Sequence, residues 1–164
     1  MTSVHGPGNN AEDAAAAVSH CRYPPHGVRS CGPRRAGLRV GPRPAESDRA
    51  VACVVMIETA GALENLDEIC AVPGLDGVYV GPSDLTLALG GRFPGDPDVA
   101  DAFADATARI AAAAARAGIA AGFHCPDGAT AAARLAEGYT FATVSSDLVH
   151  PEQAAAHLKA ARSS

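Results

Sequence analysis

Apolar residues along this chain follow two periods that alternate. Residues 51–57 are apolar without a break, from Val51 to Ile57, as in a strand covered on both faces, and Glu58 follows at once. Residues 77–80, Gly-Val-Tyr-Val, repeat the pattern, with Asp84 just beyond. Between them Leu63, Leu66, Ile69 and Cys70 recur at helical spacing, and Pro73 and Gly74 close the run. A helix of about 11 residues spans roughly 16 Å, close to a strand of about five residues, so it can carry the chain back to the sheet's starting edge. Strands joined in this way are parallel and place their carboxyl ends together. Glu58 and Asp84 are therefore expected on one rim, where two hard oxygen ligands suit a divalent cation.

The remaining segments extend the alternation. Residues 1–9 have no period and contain His5, Gly6, Pro7 and Gly8, which predicts a disordered or irregular start. Asn10 is placed to cap a helix through Cys21, with Glu12 and Asp13 in its first turn. Residues 32–48, rich in Pro, Gly and Arg, read as a loop in which Arg34, Arg35, Arg39 and Arg43 are solvated. Residues 85–90 form a helical turn. Pro97 opens a long helix to Ala117, whose stripe is Val99, Phe103, Ala106, Ile110 and Ala113 and whose stop is Gly118. Residues 119–123 are a strand followed by His124, and Asp127 caps a helix through Glu137. Residues 139–145 are the last strand, with Asp147 beyond it, and Pro151 starts a terminal helix ending in Lys159 and Arg162. The sum is an α/β chain of about four parallel strands alternating with helices.

At 164 residues the chain is long enough for one domain with a core, and short beside the about 250 residues of a (β/α)8 barrel. A net charge of -5 gives no footprint for nucleic acid or an anionic membrane, and no run approaches the roughly 20 apolar residues of a membrane span. Five cysteines without a CxxC pair or an apolar leader point to reduced thiols in a cytoplasmic, soluble protein. Cys53 and Cys70, within apolar stretches, are expected to be small buried hydrophobes.

The rim segment, MIET and then PGLDGVYVGPSDL, resembles the HpcH/HpaI group of metal-dependent pyruvate aldolases, and the segment from Arg22 to Arg29 is similar to that family's RYPPxGxR stretch. The likeness runs from about residue 10 to the C-terminus. It implies a partial (β/α)8 TIM barrel, the second half, with the N-terminal strands missing: residues 1–9 a disordered N-terminus, residues 10–164 the barrel-type domain, its core over residues 50–164. It also implies that Glu58 and Asp84 ligate a divalent metal (Mg, Mn or Co), and that Ser83 and Asp84 hold a keto acid. Gly81 and Pro82 shape the turn between the ligands. The implied chemistry is that of a class II lyase, cleaving a 4-hydroxy-2-keto acid to pyruvate and an aldehyde, with the metal as Lewis acid.

In that family an acid/base histidine and an enolate-steadying arginine come from early strands, and no stretch here matches either. Met56 stands where some members carry a substrate-contacting glutamine. His124, just past a strand, is the candidate substitute on the shared rim. His26 and His150 lie beside prolines in connecting segments, and His5, His20 and His157 have no rim placement. Ser145, Ser146 and Asp147 read as loop or capping residues, since no GxSxG elbow accompanies them. No Walker loop or GxGxxG marks a nucleotide site. Two alternatives stay open: a non-catalytic fragment that binds metal and keto acid or assembles with another chain, and a citryl or malyl thioester lyase on the same scaffold. Exposed sheet edges make a homo-oligomer the expected state.

Overall fold

The computed structural model describes residues 2–32, 38 and 43–162. Its centre is a parallel sheet of β1 (Thr2–Pro7), β2 (Ala52–Ile57), β3 (Gly77–Val80), β4 (Ala120–Cys125) and β5 (Phe141–Val144), hydrogen-bonded in chain order. Each strand lies beside the next without reversal, so right-handed crossovers place the helices on one face, as in a barrel wall rather than a doubly wound sheet. The helices are α1 (Ala11–Cys21), α2 (Pro44–Ala50), α3 (Ala60–Glu64), α4 (Leu66–Cys70), α5 (Pro82–Ala88), α6 (Ala100–Ala117), α7 (Gly128–Ala136) and α8 (Val149–Arg162).

Alternation along the strands divides the side chains into two sets. Cys53, Val55 and Ile57 of β2, Val78 and Val80 of β3, and Ala121, Phe123 and Cys125 of β4 face the helices, where Ile69, Leu85 and Ile110 meet them in one core. Small residues of α6, Ala106, Ala113 and Ala114, allow close approach to the sheet and are buried there. The expected stripe of Leu63, Leu66, Ile69 and Cys70 is buried in full. Cys21, Cys53, Cys70 and Cys125 are buried thiols, and burial pushes the Cys53 thiol up to about 12.

Several expectations need correction. Residues 1–9 are not an irregular start: Thr2–Pro7 is a strand, making five strands among the described residues. Its pairing with β2 shifts register between His5 and Pro7, and that bulge hides the period of two. Within residues 32–48, Pro44–Ala50 is a helix with proline in its first turn, and Arg43 pairs with Glu46 at 2.5 Å. Arg34, Arg35 and Arg39 lie outside the described residues. The helix between β2 and β3 is two short ones, broken at Asn65, whose Nδ2 donates to Gly61 O and Asn9 O, each at 3.0 Å. A single 3-10 turn, Pro97–Val99, precedes α6, and Gly118 ends that helix at φ 71°. β4 runs on to Cys125, so His124 lies within the strand instead of past it. Among the described residues no helix is long and apolar enough to cross a membrane.

Candidate functional site

On the face away from the helices, register builds rows across the sheet. Met56 pairs with Tyr79, Tyr79 with Gly122, and Gly122 with Phe141. A β-carbon at Gly122 would lie 2.1 Å from the Phe141 ring, so the bare glycine lets the Tyr79 and Phe141 rings stack over it, 5.9 Å apart and 21° from parallel. The next row toward the carboxyl ends follows from the pairs Ile57 with Val80 and Val80 with Phe123. It comprises Glu58, Gly81, His124 and Thr143, the last two directly paired.

Glu58 emerges as β2 ends, and the following Thr59 caps α3 by accepting from the Ala62 N–H at 3.1 Å. Thr59 Oγ1 also donates to Asn9 Oδ1 at 2.6 Å, tying the ends of β1 and β2 together. Gly81 ends β3 and serves as N-cap of α5, with Pro82 at the first helical position. Ser83 and Asp84 occupy the exposed first turn of α5, whose N–H groups have no intrahelical partner.

The Glu58 Oε2 atom is buried with no hydrogen-bond partner among the described residues. Burial raises the pKa of this carboxyl, and the Asp84 charge raises it further. Two carboxylates close enough to repel, one with an orphaned oxygen, form a natural seat for a cation that would neutralise both. No cluster of three or more His, Cys, Asp or Glu gathers for a metal among the described residues. The carboxylate pair would thus supply two positions, and oxygens of water and a chelating acid the others, a donor set that suits a hard divalent ion.

His124 Nδ1 and Thr143 Oγ1 are 3.0 Å apart, and Tyr79 Oη hydrogen-bonds the same threonine oxygen. Burial raises the Tyr79 pKa, keeping the phenol protonated. Neither Tyr79 nor Thr143 is among the residues expected at the site, although alternation along GVYV puts Tyr79 opposite the buried Val78 and Val80. Ser145, expected as a loop or capping residue, takes a left-handed φ of 63°, and its hydroxyl is buried without a partner among the described residues.

Other candidates lie elsewhere. Pro82 and Ser83 border a hollow of about 420 Å³ on the helix side, against Phe103, Phe123 and Arg134. The segment at Arg22 sits at the opposite end of the sheet. Arg22 donates to Val51 O at 2.9 Å and to Asp76 at 3.0 Å, and Tyr23 is buried, its N–H bonded to Asp48. His26 borders a hollow there, and His20 bonds its own helix at Ala16 O. His5 lies in β1, and His150 and His157 in α8.

The sequence profile described as HpcH/HpaI aldolase/citrate lyase matches residues 9–154. A hydroxypyruvate/pyruvate aldolase of Rhizorhabdus wittichii is 41% identical over 141 residues, covering 85% of this chain and 56% of the relative. A 4-hydroxy-2-oxovalerate aldolase of Rhodococcus jostii is 44% identical over 145 residues, covering 85% and 54%. The chain therefore spans about half the length of these relatives. Among solved structures, an HpcH/HpaI aldolase/citrate lyase family protein from Burkholderia cenocepacia superposes with a TM-score of 0.79 at 32% identity, over 99% of this chain and 65% of the other.

Proposed function

We propose that this chain, a member of the HpcH/HpaI aldolase/citrate lyase family, carries the cation and keto-acid seat of a metal-dependent aldolase that cleaves a 4-hydroxy-2-keto acid to pyruvate and an aldehyde. The observation behind this is the orphaned, buried Glu58 Oε2 beside the Asp84 charge. Names of the relatives supply the reaction class: aldolases of pyruvate, hydroxypyruvate and 4-hydroxy-2-oxovalerate.

Glu58 and Asp84 would hold the divalent ion, with magnesium, manganese and cobalt all matching an oxygen donor set. When bound, the ion supplies Lewis-acid polarisation of the keto group. Around it, the residues of this chain orient and exclude. The first-turn N–H groups of Ser83 and Asp84 in α5 suit the carboxylate of the acid, and Pro82 fixes the approach of that turn. Gly81, without a side chain, lets the Glu58 carboxylate lie over the end of β3. The partly buried Met56 lies one row beneath the site.

Calorimetric titration with manganese, alone and with saturating oxalate, tests this. Binding tightened by oxalate and abolished by Glu58→Ala with Asp84→Ala is the expected result. A folded chain that binds neither would overturn the seat and favour a non-catalytic half-barrel.

A further inference from the structure

We infer that His124, oriented by Thr143, is the proton-transferring group of this site, acting on the C4 hydroxyl of the substrate from the far side of Gly81. This rests on the aldolase function proposed above and concerns a histidine outside the shared MIET and GPSDL motifs.

The placement follows from register. Gly81 separates Glu58 from His124 in their row, and strands spaced about 4.8 Å put those two backbones roughly 10 Å apart. The intervening residue has no side chain, and the Glu58 carboxylate takes the space over it, Oε2 lying 2.4 Å from where a β-carbon at 81 would be, so that Glu58 reaches toward the His124 side of the row. A keto acid whose oxygens lie toward Glu58 and Asp84 carries its C4 hydroxyl two carbons further along, toward His124. Among the other histidines, His20 is turned to its own helix, His26 sits at the opposite end of the strands, His5 lies in β1, and His150 and His157 belong to α8.

The orientation follows from the hydrogen bonds. With Nδ1–H donating to Thr143 Oγ1 at 3.0 Å, the Nε2 lone pair is left for the substrate. Tyr79 holds the same threonine oxygen from its other side, so the acceptor is anchored by two strands. That donor bond is kept in both the neutral and the protonated imidazole, as a shuttling base requires.

In cleavage, Nε2 takes the proton of the C4 hydroxyl, the C4–O bond becomes a carbonyl, and the C3–C4 bond breaks with its pair remaining on C3 as the enolate of pyruvate. The imidazolium then returns the same proton to C3, giving pyruvate and neutral His124. One proton moves from oxygen to carbon, and no redox partner is needed. Thr143 and Tyr79 are positioning residues, since they act through His124.

The test uses the whole chain. His124→Ala is expected to lower kcat for retro-aldol cleavage of a 4-hydroxy-2-keto acid by about 10²- to 10⁴-fold while leaving manganese–oxalate affinity unchanged, with partial rescue by added imidazole. Thr143→Val is expected to lower kcat more than it changes KM and to shift the ¹⁵N signals of the His124 ring away from the Nδ1–H tautomer; Thr143→Ser restores both. Wild-type turnover in His124→Ala overturns the assignment. Should the wild-type chain show no turnover, the His124 ring signals must still move when magnesium and the 4-hydroxy-2-keto acid are added together, and unmoved signals overturn it equally. Loss of manganese–oxalate binding in the wild type is a different failure, that of the metal seat.

Discussion

Glu58 and Gly81 meet across the ends of adjacent strands so closely that a β-carbon at position 81 would lie 2.4 Å from Glu58 Oε2 and 3.0 Å from Met56 Cε. The carboxylate therefore occupies the space that any other residue at 81 would fill. Gly81→Ala is expected to push Glu58 off its seat and weaken manganese binding by about 10- to 100-fold, the range for groups that orient a ligand without touching the metal. Calorimetry with far-ultraviolet circular dichroism separates this from unfolding.

Glu58 costs the metal-free fold stability at neutral pH, because its carboxyl is raised by burial and then by Asp84. For a raised carboxyl the folded state binds more protons, so stability falls as pH rises from the ordinary value of 4.5 through the folded one. Glu58→Gln should raise the metal-free Tm near neutral pH, and the gain should vanish below the ordinary carboxylate range. An equal Tm at every pH would contradict this.

At Gly122 the relevant neighbour is aromatic. A methyl group there would enter the Phe141 ring and part it from Tyr79. Gly122→Ala is expected to cost about 1–3 kcal/mol, the usual range for overpacking. Urea unfolding of the single variant, and of the double variant with Phe141→Leu, checks the cause: the second substitution should recover part of the loss.

Asp96 anchors the loop before α6. It accepts from the side chain and N–H of Arg92 and from the N–H of Asp98, and these bonds lower its pKa from 3.8 to about 2. A lowered carboxyl stabilises the fold above its unfolded value and loses that contribution as pH falls through the folded one. Asp96→Asn should therefore lower Tm at neutral pH, with the gap to wild type closing between about 3.8 and about 2. Thermal scans across that window would show it.

By itself, the sequence determined the elements whose signal is local: β2 and β3 as apolar runs, the stripe of Leu63, Leu66, Ile69 and Cys70, and the long helix carrying Phe103 and Ile110. It also determined that Glu58 and Asp84 follow parallel strands and so share a rim, because strand direction follows from the helical crossover between them. Tertiary structure alone decided what depends on partners distant along the chain. Thr2–Pro7 is a strand because β2 offers it a ladder, with Thr2 opposite Ala52, and its bulge masks any period of its own. Asn65 breaks the crossover helix between β2 and β3 because Asn9 draws its side chain. His124, Thr143 and Tyr79 form one hydrogen-bonded chain across three strands, although Tyr79 and Thr143 lie 64 positions apart. Backbone geometry imposes the periods of 2 and 3.6 on every segment, whereas rows across a sheet arise from register, and register is set only when the strands pack together.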